Sequence, residues 1–157
     1  MLLLIDGNNL TSRARHVNSD LAKKDGTLIG TTFVSLKILR TLIEKFKPTR
    51  AIIIFDKGMS SWRLNLYPEY KLARRQAIKT PEEIADREQY LNQVNRFKSY
   101  CEKLPIDTYQ FDYMEADDII GYTANKFIDN KQAKNIMIVS TDTDFYQFIP
   151  FGIKVYD

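Results

Sequence analysis

Two periodicities alternate along the chain. Unbroken apolar runs end in Asp or in a polar turn: LLLID (2–6), AIIIFD (51–56) and IMIVS (136–140). Runs of this length and β-branched content predict strands buried on both faces. IDTYQF (106–111) and IKVYD (153–157) predict two shorter strands. Between them the spacing turns helical. Residues 28–46 (LIGTTFVSLKILRTLIEKF) place apolar side chains three and four apart, and Pro48 follows as a stop. Residues 81–104 predict one long helix, with Pro81, Glu82 and Glu83 suited to its first turn and Lys103 to its end. Residues 116–128 predict a third helix. Strands alternating with helices predict an α/β fold with a mostly parallel sheet flanked by helices, as a single domain over 1–157. Residues 57–80 fit neither pattern and are long for a plain loop.

The acids fall at equivalent places in this pattern. Asp6 ends one strand, Asp56 ends a second, and Asp142 and Asp144 follow a third. Glu115, Asp117 and Asp118 open the helix at 116. In a parallel sheet the carboxyl ends of the strands share one edge, where ligands bind. Each acid has a plainer explanation by itself: a strand-end Asp as a turn residue, Asp142 or Asp144 as a cap for 145–149, Glu115 and Asp117 as first-turn acids. A helix N-terminus offsets only about 0.3–1 kcal/mol of repulsion per exposed group. Acids gathered on one rim therefore need protonation or cations. Donors that are all oxygen point to Mg²⁺ or Mn²⁺. Two such ions about 4 Å apart suit an in-line phosphoryl displacement.

The segment 57–75 (KGMSSWRLNLYPEYKLARR) sets five cations, Lys57, Arg63, Lys71, Arg74 and Arg75, against one acid, Glu69. Trp62, Tyr67 and Tyr70 are interleaved with them. Cations for a phosphate backbone and aromatic faces for bases make up a single-strand nucleic-acid surface. A solvated basic face with inward aromatics is the simpler alternative. Following an acidic strand end, the segment is placed to bring Lys71 over the acids, where it would neutralise charge growing on a scissile phosphate.

Composition narrows the chemistry. The chain of 157 residues carries a net charge of +3. His16 is the only histidine and Cys101 the only cysteine. A His/Cys zinc site and an internal disulfide are therefore excluded, and a reducing compartment such as the cytoplasm is expected. MLLLI is too short for a signal peptide or a membrane span.

Five stretches resemble, in order, the 5′-nuclease superfamily of flap endonucleases and 5′→3′ exonucleases, above all its small bacteriophage members. They are LLLIDGNNL (2–10), IIIFDKG (52–58), WRLNLYPEYKLARR (62–75), MEADDIIGY (114–122) and IVSTDTDFYQFI (138–149). The resemblance implies a PIN-like, Rossmann-like domain with a helical arch inserted at about 57–80. It places Asp6, Asp56, Glu115, Asp117, Asp118, Asp142 and Asp144 at metal-ligand positions. Lys71 and Arg74 fall on the cationic pair at the base of the arch, and Tyr70 on an aromatic there. The implied activity is phosphodiester hydrolysis near a single-strand/double-strand junction of branched or 5′-ended DNA, and in some members removal of RNA from RNA–DNA hybrids. Family members continue into a helix–hairpin–helix-type DNA-binding domain. Its absence here implies a fragment, a separate partner chain, or a monomer that works without it. Two other readings share the strand-end acids: a PIN-type ribonuclease, which would not need the 57–80 insertion, and a non-catalytic nucleic-acid-binding subunit.

Overall fold

The computed structural model describes residues 1–18 and 20–157. Five strands form one parallel sheet: β1 Leu2–Asp6, β2 Arg50–Phe55, β3 Asp107–Gln110, β4 Ile136–Val139 and β5 Lys154–Tyr156. Their spatial order is β3-β2-β1-β4-β5. The order reverses between β1 and β4, and a crevice outside the carboxyl ends of the strands is expected at such a reversal.

Alternation along each strand sorts the core into two layers. Leu3, Ile5, Ile53, Phe55, Met137 and Val139 pack on one face. They meet Leu10 of α1 (Gly7–Arg15), Leu39 and Leu42 of α2 (Gly30–Phe46), and Val94 and Phe97 of α5 (Pro81–Cys101). Leu4, Ile54, Ile136 and Ile138 pack on the other face. There they meet Ala116, Ile120 and Ala124 of α6 (Ala116–Asp129), with Phe145 and Phe148 from the 3-10 helix Thr143–Phe151. Each layer is dry at its centre, with Leu3, Leu4, Ile5, Ile53 and Ile138 fully buried.

Strands and long helices lie where the apolar pattern puts them, with no end shifted by more than three residues. The long helix stops at Cys101 because residues 102–105 turn. Helix α1 carried no apolar pattern strong enough to predict it. GNNLTSRAR buries only Gly7, Leu10, Thr11 and Ala14, and the helix starts because the Asp6 carboxylate accepts the Asn9 N–H at 2.9 Å. Gly7 is required at that turn: a Cβ there would stand 2.5 Å from the Phe55 ring. Residues 57–80 fold into two short helices, α3 (Ser61–Leu66) and α4 (Leu72–Gln76), neither of which buries a residue.

Two long helices begin without a local side-chain cap and borrow one from a distant element. Ile29 precedes α2 and offers no acceptor, so Gln93 Oε1 of α5 takes the Thr31 N–H at 2.9 Å. Gln93 is buried, and its own carbonyl accepts the Thr32 hydroxyl at 2.9 Å. Replacing Gln93→Leu keeps the volume and removes the acceptor. We expect a loss of about 1–3 kcal/mol in urea unfolding, the usual cost of an orphaned buried N–H; an unchanged midpoint would show that α2 needs no such cap.

Candidate metal and nucleic-acid site

The second borrowed cap belongs to the site. Glu115 precedes α6 and makes no side-chain cap; Asp56, at the end of β2, accepts the Ala116 N–H at 2.7 Å through Oδ1. Its Oδ2 accepts Asn8 Nδ2 at 2.8 Å, while Asn8 Oδ1 accepts the Asp56 N–H at 3.1 Å. Asp6 is buried at the end of β1. Its Oδ2 accepts the Ser140 hydroxyl at 3.0 Å, and Ser140 Oγ accepts the Asp142 N–H at 3.1 Å. Asn9 joins the same layer to the turn after β4, donating through Nδ2 to Thr141 Oγ1 at 2.6 Å. Asp142 caps the 3-10 helix, accepting the Asp144 N–H at 2.9 Å. Asn8, Asn9, Ser140 and Thr141 thus lace three strand ends together. Their signal in the sequence is short polar residues directly beside Asp6 and Asp142.

The acids are close enough to feel one another. Burial, then the charges of Asp6, Asp142, Asp56 and Glu115, pushes the Asp117 carboxyl up to about 7. Burial also raises the pKa of Asp6, against hydrogen bonds from Asn9 and Ser140 that lower it, with Asp56 adding to the rise. Asp117, Asp118, Asp142, Asp144 and Glu115 line one cleft of about 570 Å³.

Cations from the 57–80 segment line the opposite side of that cleft. Arg63 forks onto Asp118, with Nη2 to Oδ1 at 2.7 Å and Nη1 to Oδ2 at 3.0 Å, and Nη1 also reaches Glu115 Oε2 at 2.9 Å. Glu115 and Asp118, three residues apart, therefore do share a helical face. Lys71 Nζ donates to Glu115 Oε1 at 2.8 Å, and the Tyr70 hydroxyl to Oε2 at 2.8 Å. Burial works to raise the Glu115 carboxyl, but Lys71, Tyr70 and Arg63 outweigh it and hold it below its ordinary value. Burial likewise works against the Lys71 ammonium, and Glu115 and Tyr70 outweigh it and raise its pKa. Arg74 lines the cleft with no ion pair among the described residues. Lys57 and Arg75 point elsewhere: Lys57 pairs with Asp112 at 2.9 Å, and Arg75 donates to the Pro68 carbonyl. Cys101 lies in the core, its thiol pushed up to about 12 by burial.

The donor chemistry fits divalent cations. Each oxygen of Asp6 and Asp56 accepts one hydrogen bond and keeps a lone pair, and Asp117 stands in an excess of negative charge that cations would relieve. Among the described residues no three acids stand in an arrangement that could hold a metal ion as they lie. Arg63 and Lys71 hold Glu115 and Asp118 instead.

An acid whose pKa rises on folding holds its proton in the native state after the unfolded chain has lost it. Stability is then fully present below the unfolded value of 3.8 and declines as pH rises towards about 7. Asp117→Asn cannot ionise. In EDTA at pH 8 we expect it to be more stable than the wild type by about 1–2 kcal/mol, after discounting for partial exposure. The difference should vanish well below pH 3.8 and shrink with Mg²⁺. Equal urea midpoints at pH 8 would show that the acids do not crowd Asp117.

Comparison with known proteins gives the family and the fold. Flap endonuclease Xni of Psychromonas ingrahamii is 35% identical over 162 residues, covering 99% of this chain and 56% of that protein. DNA polymerase I of Lactococcus lactis is 32% identical over 159 residues, covering 98% of this chain and 17% of the polymerase. Among solved structures, the T5 5′-exonuclease with bound zinc ions superposes with a TM-score of 0.77 at 28% identity, covering 94% of this chain and 51% of that one. The bacteriophage T5 flap endonuclease in a pseudo-enzyme–product complex with DNA and metal ions gives 0.72 at 26% identity, covering 92% and 50%. The fold is thus the PIN-like one that the sequence resemblance implied, and the chain spans about half the length of the flap endonucleases it matches. The match to 5′–3′ exonuclease N-terminal resolvase-like domains runs over residues 1–157, and the chain belongs to that family.

Proposed function

We propose that this chain carries the catalytic centre of a divalent-metal-dependent, structure-specific 5′ nuclease that hydrolyses phosphodiester bonds in 5′-ended or branched DNA. The observation that carries the reading is one cleft lined by both charges, with Glu115, Asp117, Asp118, Asp142 and Asp144 beside Arg63, Lys71 and Arg74, and with the strand-end acids Asp6 and Asp56 near enough to raise the Asp117 carboxyl. Asp6, Asp56, Glu115, Asp117, Asp118, Asp142 and Asp144 would hold Mg²⁺ or Mn²⁺, two ions in all. When bound, the ions would supply an activated water and charge to offset that of the phosphate.

The chain's own residues do the rest. Lys71 and Arg74 meet the scissile phosphate, and Tyr70 offers a ring on which a terminal base stacks. Arg63 adds a third cation to the cleft, and Lys57 and Arg75, outside it, would meet the strand farther from the acids. Residues 57–80 act as the arch through which a single-stranded 5′ end approaches the acids. The relatives' greater length supports a duplex-gripping part beyond these residues, on the same or a partner chain. RNA–DNA hybrids are within reach of the same chemistry. Among the described residues no helix is long and apolar enough to cross a membrane, which suits action on nucleic acid in the cytoplasm.

Asp142→Asn tests the assignment without disturbing the fold, because Asn caps as well as Asp. With a 5′-flap duplex and Mg²⁺, the variant should cut about 100-fold more slowly or worse, with a urea midpoint no lower than that of the wild type, since one of the charges crowding Asp117 is gone. Cutting at the wild-type rate would overturn the assignment. Faster cleavage of plain single-stranded RNA than of the flap would point to a ribonuclease.

A further inference from the structure

Two of the cations in the cleft, Arg63 and Lys71, are bound to carboxylates. Glu115 Oε2 accepts from both Arg63 and Tyr70, which fills its two lone pairs. Oε1 accepts Lys71 and keeps one. Asp118 gives both oxygens to the Arg63 fork. A cation that takes Glu115 through both oxygens has to displace one of these donors.

The segment that supplies the donors is loosely held. Helices α3 and α4 bury none of their residues. Lys71 sits in the left-handed region at φ 53°, a conformation uphill for any residue with a Cβ. Its ion pair with Glu115 helps to hold it there. Arg63 is sandwiched between rings, its guanidinium 4.9 Å from the Trp62 ring and 5.5 Å from that of Tyr70.

We propose that Arg63 is a positioning residue that couples cation occupancy of the acidic site to the placement of Lys71. Arg63 and Lys71 compete with a divalent cation for Glu115 and Asp118; cation entry undocks Arg63 from α6 and frees Lys71 for the substrate phosphate. Linkage makes the effect reciprocal, so removing the competitor tightens cation binding. The inference rests on the reading that these acids hold a divalent cation.

Trp62, the only tryptophan, reports directly on Arg63. The 157-residue chain is titrated with MgCl₂ by calorimetry and by Trp62 emission, as wild type, Arg63→Gln and Arg74→Gln. In the wild type, emission should shift over the same Mg²⁺ range as the heat. Arg63→Gln should bind about 5–10-fold more tightly, with no emission change on binding. Arg74→Gln makes the same change of charge in the same cleft without breaking an ion pair; it should stay near the wild-type midpoint and keep the emission response. Heat without an emission shift in the wild type overturns the coupling and leaves the cation site standing. So does an Arg63→Gln midpoint equal to that of either other protein. No heat in any of the three overturns the cation reading and the coupling with it.

Discussion

Repulsion among carboxylates at the end of a parallel sheet is the constraint on which the rest depends. The strands bring Asp6 and Asp56 to one edge because their parallel apolar runs end within two residues of each other, Asp6 lying alongside Ile54 of β2. The turn after β4 adds Asp142, and the start of α6 adds Asp117. A core would reject such a cluster, and the fold keeps it at the rim, where half of it meets solvent. The cost shows in Asp117, whose carboxyl is driven to about 7. Neighbouring side chains answer that cost in two ways. Asn8, Asn9 and Ser140 supply neutral donors to the strand-end acids. Arg63 and Lys71 supply charge to the pair on α6.

The two answers differ in permanence. The neutral donors sit on α1 and on the turn after β4, elements anchored to the core layers. The charged donors sit on a segment with no buried residue in either of its helices. A site that must admit an ion and a phosphate benefits from that division. The neutral donors are fixed by the core layers, while the counter-charges are carried on short helices that bury no residue. Preorganised acids with mobile cations would let substrate entry and charge compensation happen together.

Much of this was legible in the sequence. Apolar runs at 2–6, 51–56 and 136–140 marked the sheet, and the acids after them marked the edge where the carboxylates feel one another. The pairing of Glu115 with Asp118 followed from helical spacing. What the sequence did not show has physical reasons. Helix α1 is held by a cap and a glycine contact rather than by an apolar stripe, so periodicity missed it. The borrowed caps from Gln93 and Asp56 join residues about sixty apart, beyond any local pattern. Lys57, Arg63 and Arg75 looked equivalent as cations in one basic run. Only packing separates Arg63, which is forked onto two acids, from Lys57 and Arg75, which face away.

The most direct measurement of the crowding is the titration of Asp117 itself, followed by carbon NMR of its labelled carboxyl with and without Mg²⁺. A midpoint near 7 in EDTA, moving well down when Mg²⁺ is added, is the result expected if these acids share one site that cations neutralise. A midpoint at the ordinary aspartate value in both conditions would contradict it.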